Sequence, residues 1–161
     1  MPADGSQGPV LLCWDGSASA SSAISHAAQI LGAGRRAIVL FAHVPTEEHR
    51  GVLAGTSGPD APVLGLADAE DAREEGRRVA SQAGFDASGQ RVAADRKTAE
   101  IIVATAQEHD VSLIVMGQRG RSGLKAALLG LGSVAQGVLS SYGGPVMLVG
   151  RDAAAPPRSS A

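Results

Sequence analysis

A chain of 161 residues fits one domain of ordinary size and is long enough to bury a sizeable core. Hydrophobic residues make up 44% and aromatic residues only 2%, which excludes a disordered chain and requires a core of Val, Leu, Ile and Ala. The net charge of -2 offers no electrostatic footprint for nucleic acid, and a lone cysteine, Cys13, excludes an intrachain disulfide and a thiolate metal cluster.

Met1–Gly8 and Asp152–Ala161 read as tails around a domain over residues 9–150. Pro9–Trp14 is an apolar run closed by Asp15-Gly16, the pattern of a buried strand ending in a turn. Ser19–Leu31 carries Ala23, Ala27, Ile30 and Leu31 at helical spacing, and Gly32 and Gly34 stop it. Ala37–Val44 is a second strand. Pro45–Gly65 holds Pro, Gly, Ser and Asp without a sustained period and reads as a long loop.

Leu66–Ala83 is a charged surface helix with Leu66, Ala69, Ala72 and Val79 as its apolar positions. Its run Glu70–Arg78 alternates sign and reads as a solvated face. Ser88–Ala94 is a weak strand. Thr98–His109 is a helix with Ile101, Ile102, Thr105 and Ala106 on one side. Ser112–Met116 is continuously apolar, as expected of a strand covered on both faces. Ser133–Ser141 is a helix whose Ser133 and Gln136 match a capping box, and Val146–Val149 is the final strand. Strands alternating with helices predict a parallel sheet between helical layers, with the ligand beyond the carboxyl ends of the strands.

The segment carrying the chemistry runs from Met116 to Val134. Glycines at 117, 120, 123, 130 and 132 let the backbone approach a ligand closely, and the segment leads into a helix N-terminus. Free N–H groups and the positive end of a helix dipole suit a phosphate, and the Ser133 hydroxyl can donate to it. Arg119, Arg121 and Lys125 add positive charge. The plainer reading is a tight glycine loop with a helix-capping serine.

Several other patterns fail. Gly130-Leu-Gly-Ser-Val-Ala135 matches a dinucleotide fingerprint but lacks a strand directly before it. There is no Walker A lysine, no Ser-Gly-Gly-x-Asp-Ser loop and no Gly-x-Ser-x-Gly elbow. His26, His43, His49 and His109 form no metal-ligand spacing, and His43 reads as a locally hydrogen-bonded strand histidine. No apolar run approaches the ~20 residues that span a bilayer, and the N-terminus has no signal-peptide pattern.

Gly117-x-x-Gly120, nine residues and then Gly130 resembles the signature of the universal stress protein family. The flanks Leu113–Gly117 and Pro145–Val149 agree with it. So do Val10–Ser17, with its Asp-Gly-Ser turn, and Val39–Val44, ending in His-Val. The signature continues with Ser or Thr directly after its last glycine, whereas here Leu131 follows Gly130 and the Gly-Ser pair falls at Gly132-Ser133.

The resemblance covers residues 9 to 150 and implies a three-layer α/β sandwich, with a five-stranded parallel doubly wound sheet of the Rossmann-like, adenine nucleotide alpha hydrolase-like kind. It implies a cytoplasmic stress-response module that binds ATP, with or without Mg, or another adenine nucleotide. Asp15 and Val44 are then on the adenine and ribose side, with Cys13 at a further pocket-side position. Met116 and Gly117 line the nucleotide. Gly120, Gly132, Ser133 and Val134 hold phosphates, with Arg119 and Gly130 in the same loop. The resemblance also implies a homodimer through Val146–Val149, and no nucleic-acid or membrane partner. The alternatives are a nucleotide-free regulatory dimer and a slow ATPase.

Overall fold

In the computed structural model, which describes residues 7–45, 63–118 and 131–150, the apolar runs become strands and the amphipathic stretches helices. The order is β1 (Val10–Cys13), α1 (Ala18–Leu31), β2 (Arg36–Pro45), β3 (Val63–Leu64), α2 (Leu66–Ala83), β4 (Asp86–Ala93), α3 (Thr98–Glu108), β5 (Leu113–Gly117), α4 (Ser133–Ser141) and β6 (Val146–Val149).

Five strands lie side by side as β4-β2-β1-β5-β6, and every pairing is parallel. The short β3 joins the last two residues of β2, Val44 and Pro45. β1 is central, and Val10, Leu11 and Leu12 are wholly buried. Its side chains alternate between two cores, as the two-residue period of a strand demands. Val10 and Leu12 join Val39, Phe41 and Val115 beneath α1 and α2. Leu11 joins Leu40, Ala42, Ile114 and Met116 on the opposite face with α3 and α4. Each fully buried aliphatic side chain of this kind contributes about 1.5–3 kcal/mol. The result is the three-layer, doubly wound α/β sandwich expected.

The helices show why small residues suffice. α1 buries Ala20, Ala23, Ile24 and Ala27, one stripe at helical spacing. α2 buries Ala69, Gly76 and Ala80. A glycine inside a helix costs about 1 kcal/mol. At Gly76 it is required, because a Cβ would stand 2.6 Å from Cδ1 of the Trp14 ring. The outer face of α2 carries Glu70–Arg73 and Glu74–Arg77 ion pairs, each at 2.5 Å, with Arg91 of β4 3.5 Å from Glu70. The Arg73 and Arg77 guanidiniums, by hydrogen bonding, hold these carboxyls below their ordinary range.

Several expectations need correction. Ile30 and Leu66, apolar positions of the helical patterns, are 69% and 66% exposed; each lies at a helix end, outside the buried stripe. The weak strand over Ser88–Ala94 is instead the eight-residue β4, starting at Asp86 and paired with β2 along its whole length. It lies at the sheet's edge and is only half-buried, so its sequence is polar. Part of the loop expected over Pro45–Gly65 is strand at Pro45 and Val63–Leu64; residues 46–62 lie outside the described residues. His43 is 1% exposed, and its Nε2 lies 3.0 Å from Arg91 Nη1 across the β2–β4 pairing. Because a guanidinium only donates, this nitrogen accepts.

Candidate functional site

The chain leaves β1 for β2 on one side, while β5 lies on the other side of β1. The order therefore reverses between β1 and β5, and their carboxyl ends frame a crevice. α1 leaves β1 toward one face of the sheet and α4 follows β5 on the other. β2 continues past β1: Cys13 is level with Leu40, so Val44 stands about 13 Å further along.

On the β1 side, the turn Asp15-Gly16-Ser17 is closed by its own side chains. Gly16 takes φ +78°, which glycine adopts without strain. The Asp15 carboxylate accepts from Ser17 N–H at 2.9 Å, and Ser17 Oγ accepts from Ala20 N–H at 3.1 Å as the cap of α1. Asp15 thus has a built role in the turn. Burial, reinforced by the Asp15 charge, pushes the Cys13 thiol up from 9.0 to about 12, so it stays protonated.

On the β5 side, the chain is stitched into place by backbone. Gln118 N–H donates to the Val149 carbonyl at 2.9 Å, and Gly132 N–H donates to the Gln118 carbonyl at 2.9 Å. The start of α4 is thereby fixed beside the end of β5. The capping box expected at Ser133 and Gln136 does not form. Gly132 is the cap, in an extended conformation, and Ser133 is the first helical residue, with no side-chain cap bond. The shift follows from the backbone: Gly132 is extended, at φ -66° and ψ 157°, and Ser133 is already helical. Gln136 reaches back instead to the Leu131 carbonyl, at 3.2 Å. The helix still begins at the Gly-Ser pair, so its position follows that pair rather than Gly130.

Cys13, Val44, Met116 and Val134 all belong to the apolar cluster on the α3–α4 face. Gly117 and Gly132 are linked through Gln118, and Ser133 is exposed at the start of α4. Arg119, Gly120 and Gly130, with Arg121, Gly123 and Lys125, lie outside the described residues. Sequence reasoning missed Ser19, whose buried Oγ lies against Gly117. A serine near a helix start carries no local signal of such a contact. A hollow of about 630 Å³ also opens at the opposite, amino-terminal edge, lined among others by Arg36, Asp86, Ser88 and His109. It lies at the wrong end of the strands for the crevice.

Comparison with known proteins agrees with this architecture. The model of the universal stress protein family matches residues 8–150. None of the curated proteins is significantly similar in sequence. Among solved structures, hypothetical protein MJ0577 is similar with a TM-score of 0.66 at 24% identity, over 89% of this chain and 96% of that one. A universal stress protein in complex with cAMP has a TM-score of 0.64 at 24% identity, over 89% and 97%. A universal stress protein from Archaeoglobus fulgidus in complex with dAMP has a TM-score of 0.57 at 16% identity, over 88% and 96%.

Proposed function

The chain belongs to the universal stress protein family, and on that premise we propose that it is a stress-response module that binds an adenine nucleotide, ATP first among them, at the crevice between β1 and β5. The observation that carries this reading is the start of α4. Its cap is a glycine without a side-chain bond, so the first-turn N–H groups are left for an anion, at the positive end of the helix. Phosphates bind there over Gly132, Ser133 and Val134, with Arg119, Gly120 and Gly130 contributing from the preceding segment of the sequence. Cys13, Val44, Met116 and Gly117 line the base and ribose, and the free oxygen of Asp15 faces the ribose. The cAMP and dAMP bound by two of the similar proteins motivate the choice of adenine nucleotides.

Binding, rather than turnover, is the role this chemistry supports. Asp15 is already held by Ser17 N–H, which leaves it poorly suited to activate a water. Mg, when bound, would travel with the phosphates and neutralise their charge. The nucleotide then biases conformation or partner choice.

The proposal includes a homodimer through β6. Val146–Val149 pairs with β5 and forms the outer strand on its side of the sheet, a template for augmentation by a second copy. Light scattering is expected to give twice the chain mass, and Val146→Pro is expected to halve it; a monomeric wild type contradicts this. The protein is assigned to the cytoplasm, without a membrane or nucleic-acid partner, and recovery in a membrane fraction contradicts that assignment.

The test of binding is calorimetric titration of ATP with magnesium into the wild type and into a Gly132→Val, Ser133→Ala double variant. Binding that the double variant abolishes supports the assignment. A nucleotide-free wild type that binds nothing overturns it in favour of a regulatory dimer without nucleotide.

A further inference from the structure

Ser19 is the second residue of α1, and its Oγ is buried without a hydrogen-bond partner among the described residues. Leaving a buried hydroxyl in this state is unfavourable compared with an apolar side chain of the same shape. Such a group calls for an explanation, and a bound ligand that accepts from the hydroxyl supplies one. The hydroxyl lies against Gly117: a Cβ at that position would overlap Oγ and would lie 3.1 Å from both Cβ and the carbonyl carbon of Ser19. Gly117 ends β5, and from it the chain passes through Gln118 to Gly132 and α4. The unpartnered hydroxyl therefore sits at the junction of the crevice. Its neighbours on α1 are already arranged. Ser17 takes Ala20 N–H with its side chain and Ser21 N–H with its carbonyl, leaving the N–H groups of Ala18 and Ser19 without intrahelical acceptors.

We propose that Ser19 is a phosphate-binding residue: its hydroxyl turns by one staggered rotation from Gly117 into the crevice and donates to a phosphate oxygen of the bound nucleotide. This deepens the nucleotide reading above and rests on it. The rotation requires no movement of α1, because it is confined to the Cα–Cβ bond. Ser19 then distinguishes a nucleoside phosphate from the bare nucleoside, and it adds α1 to the helices that hold the anion. Its cost is borne by the empty protein, in which the hydroxyl has no partner.

The two roles a buried serine can have differ in sign. A structural hydroxyl stabilises the nucleotide-free protein, whereas a hydroxyl reserved for a ligand does not. Calorimetry with ATP, AMP and adenosine on the full-length wild type and Ser19→Ala, together with thermal unfolding without nucleotide, separates them. Ser19→Ala is expected to lose about tenfold or more in affinity for ATP and AMP. It should keep its affinity for adenosine and unfold at the same or a higher temperature when empty. Unchanged ATP affinity, an equal loss for adenosine, or a lower unfolding temperature of the empty variant overturns the proposal. A wild type that binds neither ATP nor adenosine overturns the nucleotide reading and this proposal together, whereas a binding wild type with an indifferent Ser19→Ala overturns only this one.

Discussion

The helices that follow β1 and β5, the two strands that frame the crevice, start differently. α1 is capped by Ser17, within a turn that Asp15 closes. α4 is capped by Gly132, with no side-chain bond, and its position is set by backbone bonds to Gln118 and from there to Val149. Both solutions place a helix accurately. At the first, the Ser17 hydroxyl takes one first-turn donor; at the second, no side chain competes with an incoming anion. A side-chain cap is worth about 1 kcal/mol over alanine and only a few tenths over glycine. The open end of α4 therefore costs the fold little, while a ligand phosphate gains charge-assisted hydrogen bonds there.

The largest expected effect comes from turning the open end into a closed one. Gly132→Asp supplies an acidic cap that occupies the donors and repels phosphate. ATP affinity in calorimetry is expected to fall about a hundredfold or more, with thermal stability unchanged or slightly higher. Equal ATP affinity would mean that the start of α4 is not where phosphate binds.

Gly117→Ala attacks the junction between the two helices. The new Cβ meets Ser19, and overpacking of this kind costs about 1–3 kcal/mol in urea unfolding. Part of this loss should return in a Ser19→Gly background, which removes Oγ and Cβ but leaves the carbonyl-carbon contact. A Gly117→Ala variant as stable as wild type would show that the contact is not tight.

Opening the closed end is a smaller change. Ser17→Ala removes the cap of α1 and is expected to cost about 1 kcal/mol of stability, with ATP affinity changed less than about twofold. A large loss of affinity would erase the distinction between the two helix starts.

The smallest effect concerns Cys13, whose thiol is held protonated to about 12 by burial and the Asp15 charge. Between pH 9.0 and about 12 the unfolded chain loses this proton and the folded chain keeps it. Stability from this source is complete below the lower value and falls as pH rises through the window. Urea unfolding at pH about 8 and about 9.5 should show a decline that Cys13→Ala lessens. An identical decline in the variant contradicts the account.

Much of the fold was legible because its strands are continuous apolar runs and its helices are periodic. Ser112–Met116 announced itself as a strand covered on both faces, and Thr98–His109 carried its buried stripe openly. β4 was harder, because an edge strand with half-buried positions needs few apolar residues. β3 has two residues, too few to show a period, and exists through its pairing with the end of β2. Of the site, the glycine spacing pointed to the right helix start but not to its cap. Whether Ser133 caps or follows the cap depends on one backbone conformation, at Gly132, which the sequence leaves open. Ser19 had no local signal at all. Its importance arises from a tertiary contact with Gly117, about a hundred residues away in sequence.

The central claim is that the open start of α4 receives the phosphates of a nucleotide. Amide chemical shifts of isotope-labelled protein during titration with ATP, and separately with adenosine, test it most directly. The account predicts the largest ATP-specific changes at Ser133 and Val134, with adenosine leaving them nearly unmoved. Shifts that concentrate instead around Arg36, Asp86 and His109, at the hollow on the opposite edge, or no shifts at all, would contradict it.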